Sequence, residues 1–166
     1  MSDTDLNLRK LQTEGYLRFS RIHRELDEYL ANLFAREGIH DITPRQSYVL
    51  VVLYQAGRPL AARRIAESLG LSEVTVGRFI HSLEGAGWIT RARDPRDART
   101  ILVSPTKRGY DALPTFKRMA SVLLDSAFDG FSRDEIETLV GLVARMAENL
   151  DAAWKPPAPP WQEDPR

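Results

Sequence analysis

Residues 88–109 read WITRARDPRDARTILVSPTKRG, and the reading of this stretch decides the fold. Two short runs, Trp88 to Ala92 and Thr100 to Val103, carry the aromatic and β-branched residues that favour strands. Between them Arg93, Asp94, Pro95, Arg96, Asp97 and Arg99 form a charged segment. The pattern is that of a β-hairpin with a tip too long for a two-residue turn. A helix-turn-helix pattern precedes it with almost no gap. An arginine-tipped hairpin beside a helix that can enter a groove is suited to holding DNA.

Working outward towards the N-terminus, Ser72 is placed to cap a helix from Glu73 to about Gly85. Val76, Ile80 and Leu83 share one face of it and are expected to pack with Leu71. A short helix from about Ala61 to Leu69 precedes it, with Ile65, Ala66 and Leu69 inward and Gly70 as a left-handed cap. Before that, Thr43, Pro44 and Gln46 form a capping box that opens a helix from Pro44 to Gln55, stopped at Gly57. Tyr48, Val49, Val52 and Leu53 are expected on its apolar side. Leu8, Leu11, Phe19, Ile22, Leu26, Leu30 and Leu33 recur at helical spacings, which predicts a long amphipathic helix from about Leu6 to Arg36. Gly15 inside it costs about 1 kcal/mol relative to alanine. A helix so long needs another surface to cover its stripe, and a second subunit is the natural candidate.

On the other side of the hairpin, Thr106 is expected to cap a helix reaching about Phe128. Pro114 within it should kink or restart it. Ser132 and Glu135 make a second capping box. They open a helix with Ile136, Leu139, Val140, Val143, Met146, Ala147 and Leu150 at helical spacing. From Lys155 the chain reads KPPAPPWQEDPR, which is expected to be polyproline-like or disordered. There is no internal repeat. The fold class expected is mainly α with a small β-hairpin. Residues 1–40 form an N-terminal dimerisation helix and 41–110 a winged helix-turn-helix. Residues 111–154 are expected to form C-terminal helices, and 155–166 a Pro-rich tail.

Composition narrows the function classes. With 43% hydrophobic and 28% charged residues, the chain has the make-up of a soluble globular protein. No apolar run approaches the roughly 20 residues of a membrane span. The opening Met-Ser-Asp-Thr-Asp is acidic and has no apolar core, so no signal peptide is expected and a cytoplasmic protein is the simplest reading. The absence of cysteine excludes a disulfide framework, cysteine-ligated zinc and a thiol redox switch. A net charge of zero hides an asymmetry: Arg58 to Gly109 holds ten Lys and Arg against five Asp and Glu, a balance of +5, so the rest carries −5. This concentrates phosphate-attracting charge in one region. An arginine-rich solvated surface is the plainer reading of charge alone.

In a helix-turn-helix the second helix lies in the major groove, with its N-terminal half facing base edges. With Val76, Ile80 and Leu83 inward, Ser72, Glu73, Thr75, Gly77 and Arg78 are expected to project outward. Arg78 can pair with guanine in bidentate fashion, and Thr75 or Ser72 can reach a base or phosphate. Gly77 is costly in a helix interior, and its missing side chain allows close backbone approach, unless it is merely tolerated. His81 lies one turn further on and reads as a solvated surface residue. At the hairpin, Asp97 and Arg99 are two apart and share a strand face if the strand extends so far. The carboxylate would then aim the guanidinium towards a phosphate or a narrow minor groove. An ordinary surface ion pair, worth about 0–1 kcal/mol, is the alternative. Arg93 and Arg96 flank the tip as further contacts.

With these residues in view the chain resembles the MarR family of bacterial and archaeal transcriptional regulators. The resemblance rests on LSEVTVGRFIHSLEGAGWITR (71–91), on Asp94-Pro95-Arg96-Asp97-Ala98-Arg99, and on Thr106-Lys107-Arg108-Gly109. It is close over about residues 43–110 and one of placement only for the terminal helices. It implies a homodimer with interlocked terminal helices, whose two winged domains straddle a pseudo-palindrome in double-stranded DNA. Arg78 would read or clamp DNA. Arg99, oriented by Asp97, would contact the backbone or minor groove. Two departures stand out: Gly77 occupies a position that commonly bears a hydroxyl residue, and Pro105 replaces the usual leucine before Thr106. Many relatives bind small aromatic or phenolic effectors between the dimer helices and the DNA-binding lobe. Phe19, His23, Tyr48 and Phe116 are the matching candidates here, with core or interface roles as the plainer reading. Cysteine-based peroxide sensing is excluded.

The function expected is therefore a sequence-specific, effector-responsive DNA-binding repressor. The alternative is a winged-helix interaction module that uses the hairpin, or the tail with Trp161, for a protein partner. No catalytic constellation is present. Asp134, Glu135 and Glu137 read as a helix-start charge cluster. His23, His40 and His81 lack metal-ligand spacing, and no phosphate-binding glycine loop or nucleophile elbow occurs, so neither metal nor cofactor is expected.

Overall fold

The computed structural model describes residues 3–153. In chain order it contains α1 (Asp3–Arg36), α2 (Pro44–Ala56), β1 (Leu60–Ala61), α3 (Ala62–Leu69), α4 (Glu73–Gly85), β2 (Ile89–Arg93), β3 (Ile101–Pro105), α5 (Lys107–Ala127) and α6 (Arg133–Ala153). The Pro-rich segment 155–166 lies outside the described residues. No helix among the described residues is long and apolar enough to cross a membrane. The chain forms two compact units, one through Leu124 and one from Asp125 onward.

The first unit is built around Val49, Leu50, Leu53, Ile65, Val76, Leu83, Ile89 and Val103, all essentially inaccessible to solvent. Its helices begin and end where the sequence places their caps. Thr43 Oγ1 accepts from the Gln46 amide, and the Gln46 side chain accepts from the Thr43 N–H at 2.8 Å. Gly70 ends α3 at φ 62°, a left-handed conformation that costs glycine no Cβ clash. Two side chains differ from expectation. Tyr48 is exposed and Leu50 takes the interior, because residues 48–53 are apolar without interruption and carry no period to name a face. Leu71 is 39% exposed rather than packed on α4, since it sits in the turn between two caps with its N–H held by the Ala66 carbonyl.

The sheet is antiparallel in the order β1-β3-β2, with Leu60 opposite Val103 and Ile89 opposite Pro105. β1 was not foreseen, since two residues hold no alternation. Pro105 ends the central strand without loss. The neighbouring ladder bond runs from the Thr106 N–H to the Trp88 carbonyl at 3.0 Å, so no N–H of residue 105 is required towards β2. α5 runs as one helix from Lys107 to Ala127 and passes through Pro114 without restarting. Phe116 and Met119, both buried just beyond it, anchor the continuation.

Phe116 is the hub of an aromatic cluster. Its ring meets Phe34 of α1 and Trp88 edge-on, with centroids at 5.6 and 5.7 Å, and Tyr54 of α2 at 6.2 Å. The Tyr54 hydroxyl donates to the Gly109 carbonyl at 2.6 Å. Burial, with a smaller contribution from Tyr110, pushes the Tyr54 phenol up from its ordinary 10.0 to about 12. The unfolded chain therefore loses this proton before the folded one. Its stabilising contribution is complete below pH 10 and is lost as the pH rises towards 12. Urea denaturation between these limits should show falling stability, and Tyr54→Phe should flatten that part of the curve.

In the second unit, Ser132 and Glu135 form the expected capping box at the start of α6, and Phe128 and Phe131 meet edge-on at 5.8 Å. No side chain of α6 is buried. Val140, Leu142, Val143, Met146 and Leu150 are all exposed.

Candidate nucleic-acid interface

α3, the Gly70 turn and α4 form a helix-turn-helix, and β2 and β3 follow it as a hairpin. Ser72 Oγ accepts from the Thr75 amide at 3.2 Å and shares a hydrogen bond with Thr75 Oγ1 at 2.9 Å, so these two hydroxyls fix the start of α4. Further along, the Gln46 side chain donates to Ser82 Oγ at 3.0 Å, and Glu84 pairs with Arg91 of β2. That hydrogen bond from Arg91 holds the Glu84 carboxyl below the ordinary carboxylate range. α4 is thereby fixed to α2 on one side and to the hairpin on the other.

At roughly 100° per residue, the buried stripe of Val76, Ile80 and Leu83 points one way, and Val74, Arg78 and His81 point the opposite way. Val74, a residue that sequence reasoning passed over, is 72% exposed. The signal was available, because its phase on the helix opposes the apolar stripe. Its apolar type concealed it. Gly77 is exposed, and a Cβ there would meet nothing within 4 Å, so no protein packing requires glycine.

The ten cations of residues 58–109 divide into two sets. Arg63 and Arg64 pair with Glu67, Arg91 with Glu84, Lys107 with Asp111, and Arg108 with Asp41. Among the described residues the guanidinium groups of Arg58, Arg78, Arg96 and Arg99 make no hydrogen bond or ion pair, and that of Arg93 reaches only the Ala98 carbonyl at 3.5 Å. Four of the five in the second set lie on α4 or at the hairpin tip. Internal carboxylates pair with the cations of α3, of the hairpin root and of the start of α5, and leave those of α4 and the hairpin tip without an ion pair among the described residues.

The tip corrects one expectation. Asp97 and Arg99 lie beyond the strands, and the Asp97 carboxylate does not hold the Arg99 guanidinium. It accepts from the Arg99 backbone N–H at 3.1 Å and from the Thr100 hydroxyl at 2.8 Å, and these bonds depress its pKa, the hydroxyl contributing most. Asp94 accepts likewise from the Arg96 N–H at 2.8 Å. Both are Asx-type turns, the commonest local use of an aspartate in a loop. The two acids therefore shape the tip backbone and leave Arg96 and Arg99 outside.

At the root of the hairpin, Trp88 is 3% exposed and gathers several elements. Its indole N–H donates to Asp41 at 3.2 Å, and Arg108 stacks over its ring at 4.0 Å while pairing with Asp41 at 2.8 Å and donating to the Ala86 carbonyl. The Thr106 hydroxyl donates to Gly87 at 2.7 Å and accepts from the Gly109 amide at 3.2 Å, capping α5. A Cβ on Gly109 would lie 2.6 Å from the Trp88 carbonyl oxygen.

The four candidate effector residues do not form one pocket: His23 and Tyr48 both border Asp27 and Arg45, whereas Phe116 belongs to the buried aromatic cluster. Phe116 is buried. Phe19 and His23 are exposed on α1, and Tyr48 stands at the surface near Asp27 and Arg45. His23 Nε2 lies 3.2 Å from Arg45. An apolar cavity of about 320 Å³ lies instead between α2 and α5, lined by Val51, Tyr54, Gln55, Leu113, Phe116, Lys117 and Ala120. Among the described residues no group of three or more His, Cys, Asp or Glu is placed to hold a metal ion.

Comparison with known proteins gives a consistent picture. A profile described as MarR family matches residues 40–100. The HTH-type transcriptional regulator YkoM of Bacillus subtilis, itself uncharacterized, is 30% identical over 106 residues, which span 64% of this chain and 68% of the relative. The structure of a MepR–DNA complex from S. aureus matches with a TM-score of 0.70 at 25% identity, covering 81% of this chain and 96% of that one. A mutant MarR from E. coli complexed with operator DNA matches with a TM-score of 0.69 at 21% identity, over 82% of this chain and 95% of that one, a likeness of fold.

Proposed function

The chain belongs to the MarR family of transcriptional regulators, and from that premise we propose that it is a homodimeric, sequence-specific DNA-binding repressor, released from DNA or retuned on it by a small aromatic or phenolic effector. The observation that carries this reading is a set of arginines with no partner among the described residues, Arg78 on α4 and Arg96 and Arg99 at the wing tip, on a fold whose relatives have been seen on DNA. Ser72, Thr75 and Gly77 line the same approach, and Arg93 and Asp97 shape the wing. In this division residues 41–110 grip DNA, and 1–40 and 111–154 dimerise.

The dimer is supported by apolar surface that the described residues leave uncovered. Leu8, Leu11, Tyr16, Leu17 and Ile22 are exposed along α1, as is the apolar stripe of α6. Two α4 helices must sit about 34 Å apart to enter successive major grooves. An effector that favours another spacing lowers DNA affinity by its differential binding energy. The α2–α5 cavity, walled by Tyr54 and Phe116, is of a size for one aromatic ring.

Selection of binding sites from a random duplex library with the purified protein tests this reading. Enrichment of a two-half pseudo-palindrome is the expected result, with an affinity that falls steeply with salt. Binding without enrichment would replace it by a nonspecific architectural role. Absence of binding, unrelieved by removal of co-purified small molecules, would point to a protein-interaction module.

A further inference from the structure

We propose that Val74 determines part of the DNA specificity by reading the 5-methyl group of a thymine that lies within two base pairs of the guanine contacted by Arg78. This rests on the DNA-binding reading above and adds a named base and a named chemical group. Val74 is more exposed, at 72%, than any other large apolar side chain among the described residues with such exposure. It stands in the first turn of α4, opposite the buried stripe, where a recognition helix meets base edges.

Its neighbours decide what it can meet. Arg78 shares its face four residues on, with β-carbons about 5–6 Å apart. Successive bases on a strand are spaced by about 3.4 Å, so the two side chains address bases one or two steps apart. Glu73, just before Val74, has an exposed carboxylate with no partner among the described residues. A phosphate would repel it, which sets this turn over base edges. Gly77 leaves open space where a side chain would stand, so the backbone can approach the groove floor and bring Val74 within reach. Among the groups presented there, the thymine methyl is the apolar one. The others are hydrogen-bond donors and acceptors that a valine cannot satisfy. Burying one methyl group corresponds to about fourfold in affinity.

The experiment uses the whole chain and the half-site recovered by selection. Each thymine is replaced singly by deoxyuridine, which removes only the methyl group, and affinities are measured for the unaltered protein and for Val74→Ala. The variant retains its fold, because the position is exposed and alanine is the better helix former. One replacement, within two base pairs of the guanine at which Arg78→Ala relaxes preference, should weaken the unaltered protein about fourfold. Val74→Ala should bind the two duplexes equally. A window without thymine, no loss on any replacement within it, or a loss that persists undiminished in Val74→Ala would each overturn the inference and leave operator binding standing. If selection enriches no sequence, both readings fall.

Discussion

Trp88→Ala is expected to lower the unfolding free energy by about 3–5 kcal/mol, measured by urea denaturation at one fixed protein concentration. The indole is almost fully buried, and its removal deletes the edge-on contact with Phe116 and the platform beneath Arg108. It also leaves Asp41 without its indole donor, although Arg108 still pairs with that carboxylate. Trp88→Phe should recover much of the loss, because it keeps the ring and gives up only the N–H and some volume. If alanine cost under about 1 kcal/mol, within the range of ordinary surface changes, the hairpin root would not be part of the core.

Arg78→Ala should weaken operator binding by about 1–3 kcal/mol, or about 5- to 150-fold, and relax base preference at one position of each half-site. Arg99→Ala should weaken binding to all duplexes by a similar factor and reduce the salt slope by about one. The two residues have the same charge and the same lack of partners, so the contrast comes from placement. Arg78 stands on the helix face opposed to the core, and Arg99 on a loop beyond the strands. Fluorescence anisotropy on operator and scrambled duplexes separates the outcomes. Equal, sequence-independent losses from both substitutions would sink this division of labour.

Much of this was legible in the sequence because it is locally encoded. The Thr43, Ser72 and Ser132 caps, the Gly70 stop and the α4 apolar stripe depend on residues within one or two turns of each other, and each stands where the pattern puts it. β1 was not legible, since a two-residue strand exists only through β3. The inner face of α2 was also hidden, because an unbroken apolar run has no phase. At the wing, composition placed Asp97 beside Arg99, but the Thr100 hydroxyl and the Arg99 backbone N–H took the carboxylate, being held at short range where a long guanidinium is not. The aromatic cluster around Phe116 joins α1, α2, α5 and the hairpin root across more than eighty residues, and no short window displays it.

The close approach of Gly109 to the Trp88 carbonyl has a mechanical consequence. With the Thr106 hydroxyl bonded across the same seam and Arg108 clamped to Asp41, the root of the wing and the first turn of α5 have no hinge between them. The wing root and the first turn of α5 are therefore held as one piece, and the Arg91–Glu84 pair ties that piece to α4.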